Sequence, residues 1–369
     1  MSLGLDNVVN KGQTTLARHR PGVAPVRDAN VDKGDTVPMH SEGAAVRVPA
    51  VEGPVVALDI GGTKIAGALV DSTGRLLVRA QRRTPAAEDG ETVMRAVAEV
   101  LRELAVDPSW ARASAVGIGS AGPVDASTGT VSPVNVPGWR GFPLVQRVRE
   151  MTGELPITLS GDGVAIAAAE HWQGAARGYD NALCMVVSTG VGGGFVLGGA
   201  LHPGPTGNAG HIGHISVDLD GPPCPCGGRG CVERLASGPN IARRALEEGW
   251  KPEDGAEPTA AAVAASARAG DPIARASFER AAQALAAGIA ACATLVEIQV
   301  VVIGGGVAGA GEVLFGPLRE QLRRYATLSF ASGVEVVPAQ LGTDAGLVGA
   351  AAAAYGAAAT ATGGAADTG

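Results

Sequence analysis

Residues 58–64 read Leu58-Asp59-Ile60-Gly61-Gly62-Thr63-Lys64. The apolar run Val55–Ile60 carries a carboxylate near its end and stops at two glycines; a second apolar run covers 65–70, and 71–74 make a turn. This pattern predicts a hairpin of buried strands whose first turn exposes backbone N–H groups. Such a turn can cradle phosphate oxygens, and Asp59 could hold a hydrated Mg²⁺ that bridges them. On these residues alone, an ordinary Gly-Gly hairpin turn remains the alternative. A Walker loop does not, because the G-x-x-x-x-G-K-[ST] spacing is absent.

A second glycine stretch shifts the balance. Ser188-Thr189-Gly190-Val191-Gly192-Gly193-Gly194 also follows a predicted buried strand, 183–188, and is read as a loop returning through a strand at 195–197. A third cluster, Gly304-Gly305-Gly306, ends a predicted strand at 300–303. Three such loops need a common cause, and a nucleotide supplies one: the first two take phosphates and the third lies by the adenosine. Helical spacing over 91–104, 164–172 and 274–296, with a strand at 115–118, completes an alternating α/β pattern. In such proteins ligands sit at strand ends.

Whole-chain features narrow the function classes. The chain has 369 residues, enough for two packed lobes. It is 46% hydrophobic but only 3% aromatic, so its core must be built from Ala, Val, Leu and Ile. A net charge of −7 argues against a nucleic-acid groove. No apolar run is long enough for a bilayer, and no basic-then-apolar leader opens the chain, so a cytoplasmic location without membrane contact is expected. Residues 1–50 are expected to be a disordered tail, and 356–369 a flexible one.

Two polar constellations carry chemistry. Cys224, Cys226 and Cys231 crowd one glycine-rich turn, and His214 lies ten positions before Cys224. With no export signal, that spacing favours a closed Cys₃His zinc site of structural type over disulfides; three merely buried cysteines are the bland reading. Asp162 stands in Ser160-Gly161-Asp162-Gly163 between a predicted strand at 157–159 and a helix. A carboxylate there can act as the base that phosphoryl transfer to a hydroxyl requires, or it can simply cap the helix.

With these motifs the chain, over about 54–355, resembles the ROK family (repressors, open reading frames and kinases). It is similar to that family's bacterial glucokinases and N-acetylmannosamine kinases. The family's D-x-G-G-T is met by Asp59, Gly61, Gly62 and Thr63, with Lys64 following; its second phosphate loop by Ser188, Thr189, Gly190, Gly192 and Gly193; its adenosine region by Gly304, Gly305 and Gly306. Its most specific signature, G-H then C-x-C-G-x-x-G-C-x-E, is met by Gly213-His214 and by 224–233, ending in Glu233. The resemblance implies an α/β, two-lobed, actin-like ATPase fold of ribonuclease H-like type with the active site between the lobes. It implies a small lobe at 54–157, to which a closing helix at about 344–355 returns, and a large lobe at 158–343. ATP, Mg²⁺ and structural Zn²⁺ are the implied cofactors, and a homodimer or higher homo-oligomer the implied assembly. Asp162 matches the catalytic base, and Gly122, Asn135, Gly161, His211, His214 and Glu233 fall at sugar-pocket positions. Trp139, nearby, is expected to pack rather than to stack on substrate.

Two departures from the family pattern alter that pocket. Many family kinases have Asn where Gly161 stands, and Glu where His211 stands in Ala209-Gly210-His211-Ile212-Gly213-His214. The latter variant is similar to some bacterial N-acetylmannosamine kinases, and a His can donate to an acetyl carbonyl where an ionised Glu cannot. The expected reaction is transfer of the γ-phosphate of ATP to the 6-hydroxyl of a hexose or N-acylhexosamine, with N-acetylmannosamine ahead of glucose. A glucokinase proper is the alternative. A sugar-responsive transcriptional regulator of the same family is the rival class, and residues 1–50 lack the pattern of a helix-turn-helix.

Overall fold

The computed structural model describes residues 52–253 and 255–363; the tail expected at 1–50 lies outside the described residues. The first half runs β1 (Val55–Ile60), β2 (Lys64–Val70), β3 (Leu76–Arg83), α1 (Gly90–Leu104), β4 (Ala115–Ser120), the short strands β5 (Val124–Asp125) and β6 (Thr130–Val131), α2 (Leu144–Thr152) and β7 (Ile157–Gly161). Helix α3 (Asp162–Gln173) then leads to β8 (Ala182–Val187), β9 (Val191–Leu197) and β10 (Ala200–His202). The remainder is α4 (Val232–Ala236), α5 (Gly238–Glu247), α6 (Ala260–Ala269), α7 (Pro272–Val296), β11 (Val300–Gly304), α8 (Glu312–Tyr325), β12 (Glu335–Pro338) and α9 (Ala345–Gly363).

Two five-stranded sheets share one plan. The first is ordered β3-β2-β1-β4-β7 and the second β10-β9-β8-β11-β12. In each, three antiparallel strands are extended by two parallel ones. Strands β1 and β8 are therefore equivalent, and so are the hairpin turns that follow them. No fixed-period repeat shows in the sequence because the duplication is one of topology.

Burial follows the two-residue period of a strand. Val56, Leu58 and Ile60 of β1 pack with Val93, Val97, Val100 and Leu104 of α1, while Val55 and Ala57 pack with Leu347, Ala350, Ala351 and Ala354 of α9. Asp59 continues the second set, which turns its carboxyl to the α9 side. The side chain of Asp89 caps α1, accepting from Thr92 N at 2.7 Å. In the second sheet, Leu183, Met185 and Val187 pack against α7 and α8, and Ala182 and Cys184 against Ala167 of α3. Helices α3 and α9 pack on each other between these inner faces.

The glycines explain the most visible departure from the sequence reading. The expected loop 188–194 narrows to a turn at 188–190, since Gly192, Gly193 and Gly194 pair in register with Val186, Met185 and Cys184. A Cβ on Gly194 would lie 2.8 Å from Val164 Cα, and one on Gly193 would lie 2.9 Å from Cys184 O. The missing side chains let the first turn of α3 rest directly on β9. Glycine here serves close approach as well as turning.

Two boundaries also move. The expected lobe division after residue 157 falls inside β7, whose pairing with β4 assigns it to the first sheet through Gly161. The last helix does not stop at Tyr355 but continues to Gly363, into the stretch expected to be a flexible tail. Buried Tyr355 donates its hydroxyl to Gly53 O and Val70 O, both at 3.0 Å, and so ties α9 to the first sheet. No helix among the described residues is long and apolar enough to cross a membrane.

Candidate active site

The two equivalent turns present matching donors. In the first, Gly61 N–H donates to Lys64 O at 2.9 Å, and Thr84 braces the turn through its N–H to Thr63 O and its hydroxyl to Gly61 O. The N–H groups of Gly62 and Thr63 have no acceptor among the described residues. In the second, Ser188 N–H donates to Gly190 O at 2.8 Å, and those of Thr189 and Gly190 likewise have no acceptor there. Unpaired consecutive amides at a glycine turn are an anion cradle. Gly304, Gly305 and Gly306 lie across the second turn: Gly305 takes φ +90° against Val187 O, and a Cβ on Gly306 would be 3.7 Å from Ser188 Oγ.

Two carboxylates face this region. Asp59 is partly buried beneath the first turn of α9, where a Cβ on Gly346 would lie 2.5 Å from its Cγ. Burial pushes its carboxyl up, and the Lys64 ammonium 3.6 Å away pulls it partly back. Lys64 therefore sits on Asp59, not on the rim of the turn. Asp162 is the first residue of α3; Gly161 is the N-cap, so the capping alternative does not apply. Its side chain accepts from Gly163 N at 2.7 Å and remains open to solvent. Crowding by protein raises its pKa above the usual carboxylate range, Asp59 adds to the rise, and the Gly163 N–H and His211 oppose it. A carboxylate whose affinity for protons is raised by burial and by a second carboxylate is suited to proton transfer.

The expected sugar-pocket residues gather unevenly. A Cβ on Gly122 would lie 3.5 Å from His211 Nε2, so those two face each other. Asn135 lies instead over the first turn, where a Cβ on Gly62 would be 2.5 Å from its Nδ2. Gly161 is pressed toward Gly207 O, 3.1 Å from where its Cβ would stand, so the small residue fits a crowded backbone. Trp139 is fully buried, stacked on Phe142 at 4.7 Å, and donates Nε1–H to Gly90 O. Glu233 accepts from Val191 N at 2.9 Å, so one oxygen is engaged with the second turn rather than with the pocket.

The expected role of His211 depends on its protonation. Its Nδ1 is 2.8 Å from Asn208 O, and a carbonyl only accepts, so Nδ1 carries the proton. In neutral imidazole Nε2 is then an acceptor, and donation to an acetyl carbonyl as expected requires the imidazolium, the form whose charge opposes the rise at Asp162. Neutral Nε2 can accept from a hydroxyl or an amide N–H. Asn208 was not anticipated from sequence. Its side chain also accepts from Val124 N at 3.1 Å and donates to Val124 O at 2.6 Å, joining the Gly122 loop to the His211 turn. The only trace in the sequence is one amide in Gly207-Asn208-Ala209-Gly210.

His214, Cys224, Cys226 and Cys231 do converge. Their ligand atoms all lie within 4.8 Å of one another, with Cys226 Sγ to Cys231 Sγ at 3.7 Å and His214 Nδ1 to Cys224 Sγ at 3.9 Å. Tetrahedral zinc with Zn–S bonds of about 2.3 Å requires S–S edges of about 3.8 Å, which the Cys226–Cys231 pair meets. Burial and the two neighbouring thiols push Cys231 up to about 12, an arrangement that a divalent cation would relieve. A cavity of about 560 Å³ lies elsewhere. It is bordered by His171, Trp172 and Ala353 and by none of the candidate residues.

Comparison with known proteins decides the family. The ROK family model matches residues 55–356. The chain belongs to the ROK family. It is 38% identical over 312 residues to a glucokinase of Thermotoga maritima, covering 80% of this chain and 96% of that one. It is 39% identical over 297 residues to an N-acetylmannosamine kinase of Escherichia fergusonii, covering 80% and 96%. A ROK glucokinase of Streptomyces griseus, solved with glucose and AMPPNP, matches with a TM-score of 0.68 at 36% identity, covering 82% of this chain and 99% of that one. The architecture is thus the actin-like ATPase fold, and this ROK chain is an enzyme of the sugar-kinase class.

Proposed function

We propose that this ROK kinase transfers the γ-phosphoryl group of ATP to the 6-hydroxyl of a hexose or N-acylhexosamine, with Asp162 as general base. The observation that carries the reading is the position of Asp162. Its solvent-open carboxylate stands where β7 ends and α3 rests on the hairpin that holds the second turn. The unpaired amides of Gly62, Thr63, Thr189 and Gly190 would hold phosphate oxygens, and Gly304–306 would border the adenosine. Asp59 fits a hydrated Mg²⁺, which would neutralise charge on the transferring group. Asp162 would take the proton of the accepting hydroxyl as that oxygen attacks phosphorus and ADP leaves.

For the acceptor, Gly122, Asn135, Gly161, His211, His214 and Glu233 would form the pocket in two lobes, one built on each sheet. With Nδ1 of His214 on a metal, its Nε2–H is a donor, whereas Nε2 of neutral His211 is an acceptor. An N-acyl group has an amide N–H that suits His211, which favours N-acetylmannosamine, with glucose next. A coupled assay of ADP release over a panel of hexoses and N-acylhexosamines tests this. The expected result is a higher kcat/KM for N-acetylmannosamine than for glucose; no turnover with any sugar would instead point to a ROK regulator.

The Cys₃His cluster is assigned structural zinc, with no open ligand position. Purified protein is expected to contain about one zinc ion per chain, and Cys226→Ser to lose it and melt at lower temperature. Elemental analysis that finds no zinc in the wild type, or full zinc in the variant, would refute the assignment.

A further inference from the structure

Glu170 is fully buried on α3 yet takes no part in the chemistry described above. Its carboxylate accepts from Ala175 N at 2.8 Å, from Gln340 N at 3.1 Å and from Leu341 N at 3.1 Å. These donors lie on different connections. Ala175 belongs to the link from α3 into β8, where the chain leaves the first sheet for the second. Gln340 and Leu341 belong to the link from β12 to α9, where it returns. One carboxylate therefore clamps both crossings. The fit is close: a Cβ on Gly174 would lie 2.7 Å from Glu170 Cδ.

Both helices fixed in this way end at the site. Asp162 begins α3, eight residues before Glu170, or about 12 Å away at 1.5 Å per residue. Gly346, in the first turn of α9, packs on Asp59. We propose that Glu170 is a positioning residue that sets the relation between Asp162 and Asp59 by pinning the exit of α3 to the approach of α9. A buried carboxylate suits this role because three N–H donors satisfy its charge, and without it those N–H groups would lose their acceptor. The proposal rests on the kinase reading for its effect on turnover, but the clamp itself does not.

Two measurements test it. Glu170→Gln keeps the size but presents an amide NH₂ to donors. Its kcat is expected to fall by about 10- to 100-fold with a raised KM for Mg·ATP, while sugar affinity by calorimetry stays within about twofold. Unchanged kcat would overturn the proposal, and so would equal loss of sugar affinity in a variant that melts like the wild type. The second measurement uses the wild-type protein and decides the matter if the variant fails to fold. Gln340 and Leu341 lie on a connection outside any helix or strand, so slow hydrogen exchange at their amides is the signature expected of the Glu170 bonds. Protection at both is expected with and without ligands; exchange at the rate of a free loop would overturn the clamp. A protected clamp in a protein that phosphorylates no sugar would instead refute the kinase reading.

Discussion

Asp162→Asn is expected to lower kcat by about 10²- to 10⁴-fold while sugar affinity stays within a few-fold. The substitution keeps the side chain's size and its acceptor for Gly163 N–H, but removes the group that takes the hydroxyl proton. A pH profile gives a second reading. Crowding raises the pKa of Asp162, and a base works only when ionised. Activity should therefore fall as the pH drops through that raised value, with the acid limb of kcat/KM lying above the ordinary carboxylate range. The Asn variant should lose this limb. Near-normal kcat with a greatly raised KM would make Asp162 a binding residue and refute the mechanism.

Asp59→Ala should also cripple turnover, by a different route. A metal that neutralises phosphate charge is worth several kcal/mol, or roughly 10²- to 10³-fold in rate. Asp59 lies near the end of the strand that leads into the turn carrying the Gly62 and Thr63 amides, and Lys64 is held on it at 3.6 Å. Its loss should raise the Mg²⁺ concentration needed for activity and weaken nucleotide binding, with sugar binding by calorimetry unchanged. Abolished sugar binding with normal nucleotide binding would reverse the assignment.

Periodicity and glycine placement made most of the architecture legible. The β1–β2 hairpin, α1, β4, α7 and β11 lie where the spacing predicts them. The glycines of β9 misled because a glycine run reads alike as a turn and as a strand with a backbone pressed against it. Only the tertiary contact with Val164 separates the two. The extension of α9 past Tyr355 was hidden because its alanines carry no polar face to give a period. In the site, the Cys₃His set was readable from local spacing. The Nδ1–H of His211 depends on Asn208 O and the clamp at Glu170 on two distant loops, and neither leaves a spacing signal.

The glycine seam between α3 and β9 also bears on how such an enzyme could change substrate. Contact there is main chain on main chain, at Gly163, Gly193, Gly194 and Gly210. A repacked side chain cannot relieve a substitution at a surface that has none, so mutational drift is barred from the frame holding Asp162 and the second turn. Around Gly122 the neighbours are the side chains of His211 and Asn208, which can shift, so replacements there cost less. New sugar preferences are thus open to selection at the rim while the phosphoryl-transfer frame stays fixed, and a library aimed at altered specificity should spare the seam and vary the rim.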